Sequence, residues 1–224
     1  DQNGEQASRH MLSAVKTLGA EDLLLCLLSG GGSSLLALPI DGISLHDLQQ
    51  ITHQLLCCGA SIQEINTARK HLSAIQGGKL AAACKAPICA LIISDVTGDQ
   101  ATHIASGPCT PDPTTFSDAL AVLDHYHLNV PPPIKQKLLA GKNQPLDETP
   151  KPGSPIFTHV ANKIIASAHQ SLSAAADYFQ RHQISALILG DTVTGESREI
   201  AKGYAALVKE IRFHPQWLKA PIAL

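Results

Sequence analysis

The stretch LLLCLLSGGGSSLL, from Leu23 to Leu36, limits what this chain can fold into more than any other. Leu23 to Leu28 is apolar throughout, a pattern that predicts a strand buried on both faces of a parallel sheet. Ser29, Gly30, Gly31, Gly32, Ser33 and Ser34 follow with no side chain larger than a hydroxymethyl, so the backbone can turn sharply and aim its N–H groups at a neighbour. In an open α/β sheet, ligands bind outside the carboxyl ends of the strands, and closely spaced amides there favour phosphate or carboxylate. A triple glycine alone is equally a flexible turn, so its weight depends on the rest of the chain. It matches neither better-known phosphate loop: no lysine follows the glycines, and GGGSS lacks the GxGxxG spacing.

The remaining sequence alternates helix and strand signals. Met11, Leu12, Val15 and Leu18 give residues 8–18 one apolar helical face, and Ser44 caps a helix whose stripe is Leu45, Leu48, Ile51 and Leu55. Ser61 to Glu64 reads as a capping box opening a helix with Ile62, Ile65, Leu72 and Ile75 inward and Gly77-Gly78 as its stop. On that helix Asn66, Arg69, Lys70 and Ser73 share a second face at i, i+3, i+4 and i+7. It reads either as a solvated face or as an anion-holding rail that Lys79 extends.

Ile88 to Ile93 predicts a second buried strand, ending in Ser94-Asp95-Val96-Thr97-Gly98-Asp99. Two carboxylates four residues apart at a strand's carboxyl end suit Mg²⁺ coordination or general-base work, with an Asp-rich turn as the plain alternative. The polar, proline-rich loop through Ser106, Gly107 and Thr110 to Thr115 is long for a mere connection. Thr115 and Asp118 box the start of the next helix, and the Pro, Gly and Lys content of 141–155 suggests a linker. A strand over 156–160, a helix over 163–182, a strand over 184–189 and a helix opened by Thr194-Gly195-Glu196 complete an α/β pattern: a parallel sheet with helices on both faces.

Apolar residues are 44% of the 224 but aromatics only 4%, so the core is built from Leu, Ile, Val and Ala. Seventeen Lys and Arg against 19 Asp and Glu, a net charge of −2, argue against a nucleic-acid partner or an anionic-membrane patch. No apolar run reaches the length of a bilayer span, and the expected location is cytoplasmic. The six cysteines, at 26, 57, 58, 84, 89 and 109, show neither a CxxC pair nor zinc-ligand spacing and read as reduced core thiols.

Taken together, LLSGGGSSLLALP at 27–39, EINTARKHLSAIQGGKLA at 64–81 and SDVTGDQATHIASGPCTPDPTT at 94–115 resemble the glycerate 2-kinase family, whose members are often labelled hydroxypyruvate reductase and whose distal part is the MOFRL domain. Asn162 and LGDTVTGESREIA at 189–201 extend the resemblance over nearly the whole chain. It implies a two-domain, Rossmann-like kinase that uses ATP and Mg²⁺ to convert D-glycerate to 2-phosphoglycerate, with residues 1–140 as the main part of the first domain. Residues 156–224 would continue that domain, cut before the distal one. In these terms Ser29, Gly30, Gly31, Gly32 and Ser33 would hold substrate carboxylate or phosphate. Asn66, Arg69, Lys70 and Lys79 would neutralise charge, Asp95 and Asp99 would take Mg²⁺ or the attacking hydroxyl's proton, and Ser106 and Gly107 would shape the pocket.

The resemblance also implies a preceding lysine-bearing region and a distal arginine outside this sequence, so the chain reads as an internal fragment whose activity and homo-oligomeric state stay open. The rival readings are an NAD(P)H-dependent hydroxypyruvate reductase, disfavoured by the missing dinucleotide fingerprint; a non-catalytic glycerate or phosphate binder; and a generic sugar-phosphate binder.

Overall fold

In the computed structural model, which describes residues 2–144, 148–193, 195–214, 216, 222 and 223, the leucine run forms β1 (Leu24–Leu28). It pairs in parallel with β2 (Ile88–Ile93), Leu24 opposite Ile88 and Leu28 opposite Ile92. With β3 (Val160–Ala166) they form a three-stranded sheet in the order β1-β2-β3. The parallel β1–β2 pair, joined through helices, is the α/β layering that the alternation predicts.

The expectation that β1 is covered on both sides needs correction. Cys26 is buried, whereas Leu25 and Leu27 are 54% and 73% exposed. Successive side chains alternate across the sheet, and only the even-numbered face meets the core. There Cys26, Ile88, Ala90 and Ile92 pack with Val15 of α1 (Gln2–Thr17), Leu80 of α5 (Lys79–Ala83) and Ile104.

A second core lies among helices. Ile51 and Leu55 of α3 (Leu45–Cys57) and Ile65 and Leu72 of α4 (Ile62–Leu72) meet Phe116 and Leu123 of α6 (Phe116–His125) and Ile134 and Leu138 of α7 (Pro132–Asn143). The helix starts follow the predicted capping boxes, Ser44 with Asp47, Ser61 with Glu64 and Thr115 with Asp118. Each box satisfies two amides that the first turn leaves unpaired.

Two units divide the chain: Asp1–Val96 with Gln100–Ile165, and Thr97–Asp99 with Ala166–Leu224. Within the second, α8 (Ala168–Arg181), α9 (Ser197–Phe213) and a short parallel pair, β4 (Ser185–Ala186) with β5 (Ile222–Ala223), are present. Apolar side chains from these elements, among them Leu172, Phe179, Leu187, Leu189 and Val208, line a cavity of about 420 Å³.

Several boundaries differ from expectation. Residues 156–159 are not strand, because Ser154 and Pro155 open a 3₁₀ turn over Pro155–His159; the strand starts at Val160, where the expected one ends, and α8 starts only after its N-cap Ser167, boxed with Gln170. The strand expected at 184–189 shrinks to two residues. Thr194, expected to open the last helix, lies outside the described residues. All six cysteines are free; Cys26, Cys84 and Cys109 are core thiols as expected, but Cys57 and Cys58 are exposed at the end of α3.

Candidate functional site

The elements of the first unit meet at Ser33. After β1 the chain passes through Gly31, left-handed at φ 77°, into the single turn α2 (Gly32–Leu35). The Ser33 carbonyl accepts from the Arg69 guanidinium and, at 3.0 Å, from the Gln76 amide, which also donates to the Leu36 carbonyl at 3.1 Å. The Ser33 hydroxyl lies 2.9 Å from that of Ser106, and Ser106 donates to Asn66 Oδ1 at 3.1 Å. Asn66 and Arg69 reach this point together because residues three apart share a helix face.

The glycines are needed for close approach. A Cβ on Gly30 would overlap the Asp95 carboxylate, and one on Gly32 would come within 2.8 Å of the Ala105 methyl. Thus the loop after β1 lies directly against the loop after β2 and against the turn at 104–107. Asp95 itself is exposed, and among the described residues no cation pairs with it.

The third wall is strained. Ala105, Ser106 and Gly107 take φ values of 50°, 56° and 59° in succession. A left-handed non-glycine residue costs about 1–2 kcal/mol. The turn is held by Gly77 N–H to the Ser106 carbonyl at 2.9 Å and by Gly78 N–H to the Gly107 carbonyl at 2.7 Å. Ser106 is fully buried, so this strained turn fixes its hydroxyl against Ser33 and Asn66.

Of the expected site residues, the structure gathers Gly30 to Ser33, Asn66, Arg69, Asp95, Ser106 and Gly107. Ser29 continues directly into this loop. Asp99 belongs to the second unit with Thr97 and Gly98, half-buried at φ 52°.

Lys70 and Lys79, expected on the anion-facing rail, have other partners, which corrects their placement. Lys70 is 1% exposed, with Nζ 2.8 Å from Thr102 Oγ1 and 3.3 Å from Asp112 Oδ1. Lys79 donates to the carbonyls of Lys70 at 3.0 Å and Ser73 at 2.5 Å, closing the carboxyl end of α4. Gln76, Thr102 and Asp112 were not singled out as site residues; Asp112 stood only within the notable proline-rich loop, and nothing local in the sequence marks the partner of each.

Burial lowers the Lys79 pKa to about 8, against the opposing pull of Asp112 and Glu148. Between about pH 8 and the ordinary value of 10.5 the unfolded chain holds a proton that the native one has lost. Unfolding free energy therefore rises with pH across that window. Thermal melts from pH 8 to 10 should show Tm rising relative to a Lys79→Met variant, and parallel profiles would exclude this assignment.

The family described as a domain of unknown function, DUF4147, matches residues 1–139. A D-glycerate 2-kinase of Thermotoga maritima is 39% identical over 225 residues, covering 100% of this chain and 51% of that protein. An Agrobacterium vitis protein with a provisional hydroxypyruvate reductase name is 42% identical over 215 residues, covering 95% of this chain and 47% of its own length. The crystal structure of the Thermotoga maritima glycerate kinase matches this fold with a TM-score of 0.80 at 38% identity, covering 100% of this chain and 52% of that one. The chain spans about half the length of the curated relatives it matches.

Proposed function

This chain belongs to the DUF4147 family, and from that premise and its similarity to glycerate 2-kinases we infer that it forms one wall of a site for ATP-dependent phosphorylation of D-glycerate to 2-phosphoglycerate. The observation that carries the reading is the meeting of Arg69, Ser106 and, through Ser106, Asn66 at Ser33, with Asp95 against Gly30 of the same glycine loop. Phosphoryl transfer asks a protein chiefly for donors around the phosphate, a place for a metal ion and a positioned hydroxyl.

In this reading the amides of Ser29 to Ser33 face the substrate carboxylate or a phosphate. Arg69, tied to the Ser33 carbonyl, adds positive charge beside them. Mg²⁺ takes one or two carboxylates and completes its shell with phosphate oxygens and water. Asp95 fits that need, being exposed and unpaired among the described residues. When bound, the cation would neutralise charge on the transferring phosphate. Alternatively, Asp95 would take the proton as the substrate oxygen bonds to phosphorus and the bond to the departing ADP breaks. Lys70 and Lys79 support the site from behind, the first through Asp112 and the second through the end of α4.

We place residues 1–140 as the main part of the first domain of a two-domain, cytoplasmic enzyme, with 156–224 continuing it. No helix among the described residues is long and apolar enough to cross a membrane.

A coupled ADP-release assay with D-glycerate, run on this chain beside a protein of the relatives' full length, tests the reading. Glycerate-dependent release by the longer protein and saturable glycerate binding by this chain are expected. NADPH oxidation with hydroxypyruvate and no ADP release would replace the kinase with the reductase. Ligand-induced stabilisation without turnover in either protein would leave a binding module.

A further inference from the structure

We propose that Ser33 recognises an alcohol hydroxyl of the ligand as a hydrogen-bond acceptor, and so selects hydroxy acids rather than anions in general. This rests on the glycerate reading above and narrows it, because that reading gave the loop amides a role toward carboxylate or phosphate and left the Ser33 hydroxyl without one.

The direction of the hydroxyl chain decides the matter. A side-chain amide oxygen only accepts, so the Ser106 hydroxyl must give its proton to Asn66 Oδ1 across 3.1 Å. The Ser106 oxygen then receives the Ser33 proton across 2.9 Å. Ser106 is fully buried and Asn66 is 2% exposed, which leaves them little room to turn to solvent. The hydroxyl of the half-buried Ser33 keeps only lone pairs to offer. Its backbone cannot swivel to present another edge, since the carbonyl is held by both Arg69 and Gln76.

Lone pairs repel a carboxylate or phosphate oxygen and attract an O–H. Donating onward to Ser106 further enriches the Ser33 oxygen, since linked hydrogen bonds polarise one another. Arg69 and the loop amides supply what an anion needs, and Ser33 supplies what an alcohol needs. A hydroxy acid is the ligand class that satisfies both. The strained backbone of Ala105 and Ser106 acquires a reason here, because it is what places the Ser106 hydroxyl between Ser33 and Asn66.

Calorimetric titration of the 224-residue chain with D-glycerate and with propionate, which has a carboxylate but no hydroxyl, tests the proposal. The unaltered chain should bind D-glycerate about tenfold more tightly than propionate through the one of its two hydroxyls that Ser33 accepts, the span of one neutral hydrogen bond. Ser33→Ala should bring that ratio near one by weakening glycerate alone, and Ser33→Thr, which keeps the hydroxyl, should retain it. Thermal unfolding of each variant identifies any that has lost its fold, and Ser106→Ala then offers a second break in the same chain with the same expected loss of preference. Equal weakening of both ligands by Ser33→Ala would overturn the proposal, because Ser33 would then be serving the carboxylate. Tight propionate binding equal to that of glycerate in the unaltered chain would overturn it too, while leaving the anion site intact. Absence of any glycerate binding would overturn the glycerate reading itself, and with it this refinement.

Discussion

Asp112→Ala should lower the unfolding free energy by about 3–5 kcal/mol and the Tm by roughly 10 °C. Asp112 is fully buried and accepts from Lys70 at 3.3 Å, the Thr114 amide at 3.1 Å, the Thr114 hydroxyl at 2.7 Å and the Thr149 hydroxyl at 3.0 Å. Burial acts to raise its pKa, but Lys70 and the two Thr114 bonds outweigh it and hold the carboxyl below its ordinary 3.8. That contribution is therefore present above about pH 3.8 and fades as pH falls through the native value. Removing the carboxylate leaves Lys70 buried without its counter-charge, and burial already pulls Lys70 below its usual pKa. The cost is mostly that of an orphaned charge rather than of a lost attraction. Hence Lys70→Met with Asp112→Leu should cost less than Asp112→Ala alone. Urea denaturation of the two variants checks this, and a single-mutant loss under 1 kcal/mol would show that the pair is not holding α4 to the 110–115 loop.

How much of this was legible in the sequence depends on range. Ser61 and Glu64, or Thr115 and Asp118, are three residues apart, so their boxes could be read directly and are present. The Ser167 and Gln170 box obeys the same rule, but the apolar run before it masked the start of α8. The glycine loop and Asp95 were legible because small residues and carboxylates at strand ends are chemically conspicuous. Lys70 was misplaced because its partner lies 42 residues away, and one helix face of cations looks the same whether it meets solvent, an anion or a buried aspartate. The turn at Ala105 and Ser106 was illegible for a related reason. Neither residue prefers a positive φ, so tertiary bonds impose it, among them those from Gly77 and Gly78. Likewise a leucine-rich strand cannot show in sequence which of its faces finds cover; in β1 only the even-numbered one does.

Asp95→Asn should cut glycerate-dependent ADP release by about a hundredfold or more while leaving the Tm within a degree or two, a separation that the site's geometry makes possible. Asp95 is exposed and has no ion pair among the described residues, so the fold gains little from its charge. The amide keeps the size of the side chain but can neither neutralise a divalent cation nor accept the alcohol proton at neutral pH. Gly30→Ala offers the complementary disturbance, because the added methyl would overlap the Asp95 carboxylate and displace it with its charge intact. If charge and position both matter, each variant alone should lose turnover, and the double variant should lose little more than Asp95→Asn, since there is then no carboxylate left to displace. Additive losses would mean that Gly30 acts on the loop rather than on Asp95. Near-normal turnover of Asp95→Asn would remove this carboxylate from the chemistry and reduce the bare Gly30 to a matter of packing.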